Sequence, residues 1–531
     1  MKKVLIVLTA LACTSAAFSQ SELDAYNYAR GDLNGTARYL AMGGAFGALG
    51  GDISAMSGNP GGLAIYRSSE VVTTLSLSNI AAKTDWLGTQ TDNSRTKLSF
   101  DNIAYVGYFP TGNDEGVVSW NVGFSYNRVK NYRRNYTMNA EGGTDYSLSD
   151  YVAARATAGA IPVNNLKITD NYNPYNTIGD WLSVLGYDAG YIDAYTNQNT
   201  AYYSNFTYEN GKGFPMSHSR LDVQESGAID QYNISAAMNI SNRVFLGGTV
   251  AITDLNYNYV SYYREDYENG DYLTLGNPGE GNGLSTDGTG YSFNLGAVFR
   301  PTDYLRLGVA YNSPIWYKMT DYYHAAASTD VSTLEEPYTS HTPDGAYTDY
   351  EYRSPDKWIF SAAAIFGTVG LLSVDYEMTN YKHMHLNDQY GNPDSGQNDF
   401  IKEDFKMGNT LRVGGEVKIT PQFAVRAGVA WMDSPVKAQL KNGQVEVKTV
   451  GTIPNFVIDK GIMNYTFGFG YRFTPNFYTD LACVFKTHKE DVYAFSNMFG
   501  PAPDHEPLIQ ANVASLKTNT TRVALTLGYK F

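Results

Sequence analysis

Polar and apolar residues alternate with a period of two through much of this chain, in segments of about ten residues. In "QYNISAAMNI", Tyr232, Ile234, Ala236, Met238 and Ile240 share one parity, and Gln231, Asn233, Ser235 and Asn239 share the other. "SWNVGFSYNR" repeats the plan with Trp120, Val122, Phe124 and Tyr126, and "NYTFGFGYRF" with Tyr465, Phe467, Phe469, Tyr471 and Phe473. Successive strand side chains point to opposite faces, so each segment reads as a strand with one apolar face. "TLRVGGEVKI" sets Leu411, Val413, Val417 and Ile419 against Arg412, Glu416 and Lys418, which places charges deep within a strand. A soluble sandwich also alternates, so the strands alone do not settle the class.

The connections do. "FRPTDYLRLGVAY", "KITPQFAVRAGVAW" and "RFTPNFYTDLACVF" each join two strands through a short turn containing proline, and "NISNRVFLGGTVAI" uses Ser241-Asn242. Proline cannot donate to a ladder, so these are turns. Between hairpins lie long polar connectors, near 254–289, 313–356, 379–408, 433–459 and 488–518. Short turns alternating with long loops are the asymmetry of an outer-membrane barrel, with turns periplasmic and loops outside. Strands are expected near 71–80, 102–110, 117–128, 230–240, 243–253, 290–300, 304–312, 357–366, 370–379, 409–419, 422–432, 462–473, 476–487 and 521–531. The expected fold is all-β: a fourteen-stranded antiparallel transmembrane barrel, closed so that no edge meets lipid. The final "RVALTLGYKF" is then the strand that pairs with the first. Its aromatic close, Tyr529 and Phe531, resembles the recognition signal of the barrel-assembly machinery.

Composition narrows the compartment. "MKKVLIVLTALACTSAAFSQ" has the charged, apolar and small-residue regions of a secretory signal peptide, expected to be cleaved near Ser19 or Gln20. A lipoprotein signal acylated at Cys13 is the rival, and Ala10-Leu11-Ala12 fits it poorly. No later stretch approaches 18 consecutive apolar residues, which excludes helical spans. Tyrosine is abundant, at 44 of 531 residues, and Cys483 is the only cysteine after residue 20, so no intrachain disulfide framework forms. The net charge of −14 argues against nucleic acid as a partner.

Ahead of the first strand stands "GTARYLAMGGAFGALGGDISAMSGNPGGLAIYRSSEV". Its Ala37-Arg38, Met42-Gly43-Gly44-Ala45-Phe46, Asp52, Ser54-Ala55 and Asn59-Pro60 followed by Gly62-Leu63-Ala64 resemble the N-terminal region of the FadL/TodX family. Gly61 stands where the family usually has alanine. The resemblance implies an outer-membrane transporter of long-chain fatty acids and other hydrophobic compounds, with residues 21–70 as a hatch inside the lumen of a barrel over 71–531. It places Asn59, Pro60, Gly61 and Phe46 near the ligand path, and the exit through a gap beside a kinked strand, for which Gly107 and Gly123 are permitted sites. A nucleotide-binding glycine loop is the competing reading of this stretch, but the G-x-G-x-x-G spacing is absent.

The connector from about 129 to 229 is too long for a plain loop. Ile178, Trp181, Leu182 and Leu185 form an apolar stripe at helical spacing, and "SLSDYVAARATAGA" suggests a second helix starting near Ser149 or Asp150. The stripe either holds the loop on the barrel or forms an extracellular groove that captures substrate. The seven histidines, His218, His324, His341, His383, His385, His488 and His505, fall in predicted loops or at their bases, none mid-strand beside an acid and a serine. His383 and His385 could share a face toward a metal but lack a third ligand. No enzyme activity, metal or cofactor is therefore expected. The expected function is passive uptake of hydrophobic small molecules across the outer membrane, in contact with its lipid. The alternative is a non-catalytic surface receptor, for haem for example, or a barrel of a secretion assembly.

Overall fold

The computed structural model describes residues 21–206, 216–267, 277–329, 338–500 and 506–531; the expected signal peptide lies outside them, as does His505. Fourteen strands form one closed antiparallel wall. Numbering only these, they are β1 (Glu70–Trp86), β2 (Thr89–Pro110), β3 (Val117–Asn131), β4 (Met216–Ile240), β5 (Val244–Tyr267), β6 (Pro278–Phe299), β7 (Leu305–Asn312), β8 (Lys357–Phe366), β9 (Gly370–Asn380), β10 (Met407–Lys418), β11 (Phe423–Met432), β12 (Phe456–Arg472), β13 (Phe477–Tyr493) and β14 (Ala514–Lys530). Closure is direct: β14 pairs with β1 from Glu70 opposite Lys530 to Asp85 opposite Ser515. The Phe531 amide donates to the Ser69 carbonyl, and its ring lies 6.3 Å from that of Tyr105. The wall begins at Glu70, one residue earlier than the sequence suggests.

Each expected strand is present, but several run far beyond ten residues: β4 has 25, β5 24 and β6 22. The connectors expected at 254–289 and 313–356 are therefore largely strand. The chain leaves β7 at Ser313-Pro314, then resumes beside β6 as strand Trp316–Thr329 and returns through strand Ala346–Arg353. His218, His324, His341 and His488 lie on such strands and not in loops.

The outward face shows where lipid ends. On β5 it reads Leu246, Val250 and Ile252, all exposed, then Asp254 and Asn256. On β6 it reads Phe299, Leu295, Phe293 and Tyr291, then Thr289 and Asp287. This apolar band of about ten residues per strand matches a tilted membrane crossing, while Thr249, Thr253, Ser292 and Asn294 are buried on the lumenal side. Above the band the strands enclose a core of Leu255, Tyr257, Tyr263, Leu284, Tyr317, Met319 and Tyr352. Most of the tyrosine excess is explained here, because a tyrosine buries a large ring while its hydroxyl reaches a partner.

Two helices of the 132–206 connector complete that core. One spans Leu148–Ala158 and is capped by Ser147, whose hydroxyl accepts from the Asp150 amide, so it starts one or two residues before Ser149 or Asp150. The other spans Trp181–Asp188 behind its cap Asp180. Ile178 precedes this helix, with its amide bonded to the Pro174 carbonyl.

Candidate functional site

Residues 21–69 fill the lumen. A helix, Glu22–Ala29, opens with a reciprocal Ser21–Asp24 capping box, and a second, Ala37–Ala41, is capped by Thr36. Short 3₁₀ turns follow at Ile53–Met56 and Pro60–Ile65. The motif residues now have physical roles. Asn59 caps the last turn by accepting from the Gly61 amide at 3.1 Å, and its Nδ2 donates to the Gly47 carbonyl at 2.6 Å and the Ala297 carbonyl at 3.1 Å. One buried side chain thus ties two parts of the segment to the wall. Asp52 accepts from the Thr36 hydroxyl and the Ser54 amide.

The wall leaves room for this corner. A Cβ on Gly247 would stand 2.3 Å from the Pro60 carbonyl oxygen, and one on Gly296 would stand 2.0 Å from Asn59 Oδ1. Gly61 itself lies against the backbone of Phe245, Gly296 and Ala297, where an alanine methyl would come within 3.0 Å. Glycine at 61 therefore seats the corner on the wall.

Above the corner two cavities meet at Arg30, Asp32 and Lys130. The inner one, about 220 Å³, has Phe46, Gly47 and Asn59 in its floor and reaches Asp101, Asn127, Arg128 and Val129 in the wall. The outer one, about 150 Å³, is lined by Tyr26, Tyr132, Tyr136, Tyr257 and Phe456 among charged groups. Pro60 and Gly61 line neither, nor do Ile178, Trp181, Leu182 and Leu185; Trp181, Leu182 and Leu185 are buried in the core of the extracellular cap and Ile178 packs against it. The helical stripe signalled burial correctly, but amphipathic periodicity does not distinguish a core-facing side from a groove.

The charges are mostly matched. Arg134 pairs with Glu225 at 2.6 Å, Lys486 with Asp32 at 2.5 Å, and the His488 imidazole contacts Asp459 at 2.6 Å. Lys130 Nζ bonds Asn27 and lies 4.5 Å from the Tyr132 ring centroid. Two lining cations differ: the Arg133 guanidinium in the outer cavity and the Lys357 ammonium in the inner one make no direct hydrogen bond or ion pair among the described residues, although Lys357 bears on Glu377 electrostatically. Among the described residues no group of three or more His, Cys, Asp or Glu side chains is arranged to hold a metal ion.

The inner cavity ends at a break in the wall, which the sequence did not locate. The β2–β3 ladder runs only from Pro110 opposite Ser119 to Asn102 opposite Asn127. Beyond it β2 continues with β1 alone, and β3 with β4 alone. A register shift places Asp101 as an extra residue on β2, and another places Val129 as an extra residue on β3. Bulges bend a strand and end pairing. Here both strands bulge beside the same gap, and Asp101 turns inward to accept from Arg522 at 2.6 Å. Gly107 and Gly123, the permitted kink sites, sit instead in regular ladder opposite Val122 and Val106.

A family model described as outer membrane protein transport protein (OMPP1/FadL/TodX) matches residues 14–531. A search of curated proteins finds no match. Among solved structures, a Pseudomonas aeruginosa FadL homologue is 15% identical with a TM-score of 0.50, over 94% of this chain and 98% of its own. The TodX ΔS2S3 mutant monoaromatic hydrocarbon channel is 14% identical with a TM-score of 0.50, over 94% and 99%. The P. putida toluene transporter TodX is 13% identical with a TM-score of 0.49, over 94% and 99%. At these identities the first two structures speak for the fold alone, and the family model, spanning nearly the whole chain, for the lineage: the chain belongs to the OMPP1/FadL/TodX family of outer membrane transport proteins.

Proposed function

We propose that this channel takes up long-chain fatty acids or similar amphiphiles, passively, and releases them sideways into the membrane through the gap between β2 and β3. The observation that carries this reading is the inner cavity, which runs above the 21–69 segment and ends at that gap. Tyrosine and phenylalanine rings in the outer cavity suit an apolar tail, and the unpaired Arg133 and Lys357 suit a carboxylate head. Asn59 and Phe46 then border the path, Pro60 and Gly61 fix the corner that carries Asn59, and residues 21–69 act as the hatch that blocks a straight aqueous route. No covalent chemistry is needed.

Uptake of labelled oleate and labelled toluene, compared in cells with and without the protein, tests the substrate class. The reading predicts protein-dependent oleate uptake that Arg133→Gln lowers while leaving protein-dependent toluene uptake, if any, unchanged. Toluene uptake without oleate uptake would assign the channel to hydrocarbons.

A further inference from the structure

The periplasmic end of the β6–β7 hairpin carries a feature that uptake does not use. The ladder ends with Phe299 opposite Leu307, both facing outward. Arg300 and Arg306 lie one step beyond, on the lumenal parity, so two guanidiniums share one side of the sheet, and Arg300 bears on Arg306 electrostatically. Like charges directly opposite destabilise a sheet unless something neutralises them. Little within the chain does. Arg300 donates one nitrogen to Asp303, whose side chain is 94% exposed, and Arg306 donates one to the Leu49 carbonyl at 2.6 Å.

Three further donors are buried and unpaired. Arg300 Nε, Arg306 Nε and the Thr302 hydroxyl between them are buried atoms with no partner among the described residues. A buried donor left unpaired is costly, and three lie within seven residues of one turn. The Arg300 amide bonds the Arg243 carbonyl of the neighbouring turn at 2.7 Å, and Arg67 and Arg38 bear on Arg306 electrostatically. In a chain of net charge −14, this rim is locally positive.

We propose that this hairpin binds an anion at the periplasmic rim, a phosphate or carboxylate group taken between the guanidiniums of Arg300 and Arg306 with the Thr302 hydroxyl as a further donor. Guanidinium forks match such oxyanions in two-bond geometry, and a bound anion removes the like-charge repulsion along with the unpaired donors. The group comes either from a soluble anion entering from the periplasm or from the headgroup of an inner-leaflet lipid. It lies on the far side of the hatch from the cavities, so it stands or falls apart from the uptake reading.

The test uses purified, folded full-length protein in a neutral detergent with chloride as the only anion. Inorganic phosphate is titrated at constant ionic strength, followed by ³¹P NMR and by the unfolding temperature. Separately, the protein is placed in nanodiscs of phosphatidylcholine with or without phosphatidylglycerol. Saturable stabilisation by phosphate identifies a soluble anion, and stabilisation by phosphatidylglycerol alone identifies a headgroup; either supports the site. Arg306→Gln should weaken binding about tenfold or more, as expected for losing one charge-assisted hydrogen bond. In chloride alone it should be no less stable than the parent. Absence of saturable stabilisation in both arms, or an equal response in parent and Arg306→Gln, would overturn the proposal, and the first result requires no variant to fold.

Discussion

Strands β5 and β6 obey opposite rules in their lower and upper halves. Within the band, Val250, Ile252, Leu295 and Phe293 face out and are exposed, while Thr249, Thr253, Ser292 and Asn294 face in and are buried. Above it, Asp254, Asn256 and Asp287 face out, and Leu255, Tyr257, Tyr263 and Leu284 face in. The side-chain period of two never breaks; just above the boundary its polarity inverts. The lower half has lipid outside and, within, a mixed polar lining around the lumenal 21–69 segment, with small apolar contacts such as Phe245 and Val298 against Ile53, Met56 and Leu63. The upper half has water outside and an aromatic core within. The boundary lies between Ile252 and Asp254 on one strand, and between Thr289 and Tyr291 on the next.

Moving a charge across that boundary breaks the comparison most severely. Val250→Arg puts a cation on the lipid face, costing about 2–4 kcal/mol at the midplane, and should sharply reduce heat-modifiable barrel on unheated gels. Asn256→Arg, six residues higher on the same face, should assemble normally. Equal assembly of the two would erase the boundary.

The Asn59-Pro60 corner should respond without loss of the barrel. Gly296→Val drives a side chain into Asn59 and Pro60, so the wall should assemble while residues 21–69 gain protease sensitivity and hydrogen exchange. Asn59→Ala, which removes two bonds to carbonyls and one cap, should act in the same direction with a smaller cost, about 1–3 kcal/mol. A combined Asn59→Ala, Pro60→Ala variant should alter uptake per folded barrel; unchanged uptake per barrel would make the motif purely structural.

The cap should be sensitive to alkali. Burial pushes the Glu280 carboxyl up to about 8 and that of Glu265 up to about 7, from 4.5. The folded cap keeps protons that the unfolded chain releases, so its stability is greatest below about pH 4.5 and falls as pH rises through 7 and 8. Hydrogen exchange in residues 278–290 should therefore quicken between pH 5 and 9 beyond the intrinsic rise, and less so in Glu280→Gln. An identical pH response in that variant would show that the carboxyl is not responsible. The smallest effect is expected at the end of β14: deleting Phe531 removes its bond to Ser69 and its place in the proposed assembly signal. It should lower the surface amount modestly, with uptake per barrel unchanged. Surface levels equal to the parent's would remove the signal.

The fourteen wall strands were legible because lipid on one side and a largely polar lumenal face on the other impose alternation between short turns, several marked by proline. The N-terminal segment carried no such period and was placed only by the resemblance of its motif. The upper halves were not. "DLNYNYVSYYRED" reads as a loop when tyrosine and asparagine are counted as polar, yet Tyr257 and Tyr263 are core. Asn59-Pro60 was visible as a turn, but the wall glycines that receive it, Gly247 and Gly296, resemble any small residue in a strand until the backbone beside them is seen. The break between β2 and β3 rests on single extra residues, Asp101 and Val129, and one extra residue leaves no mark on a hydrophobic pattern except a change of parity. That change is present: Phe100 and Leu98 face outward together with Ile103 and Tyr105.

The gap is where the proposed route is most directly tested. Asn131 Nδ2 and Ser99 Oγ meet across it at 3.5 Å, above its base at Asn102 and Asn127. A Ser99→Cys, Asn131→Cys pair, oxidised in folded protein, would staple β2 to β3. Uptake of labelled oleate is then measured on the same cells before and after reduction. The account predicts uptake near the level of cells lacking the protein while the staple holds, and recovery to the parental rate when it is reduced. Parental uptake with the staple demonstrably formed would contradict it, and would place the exit elsewhere.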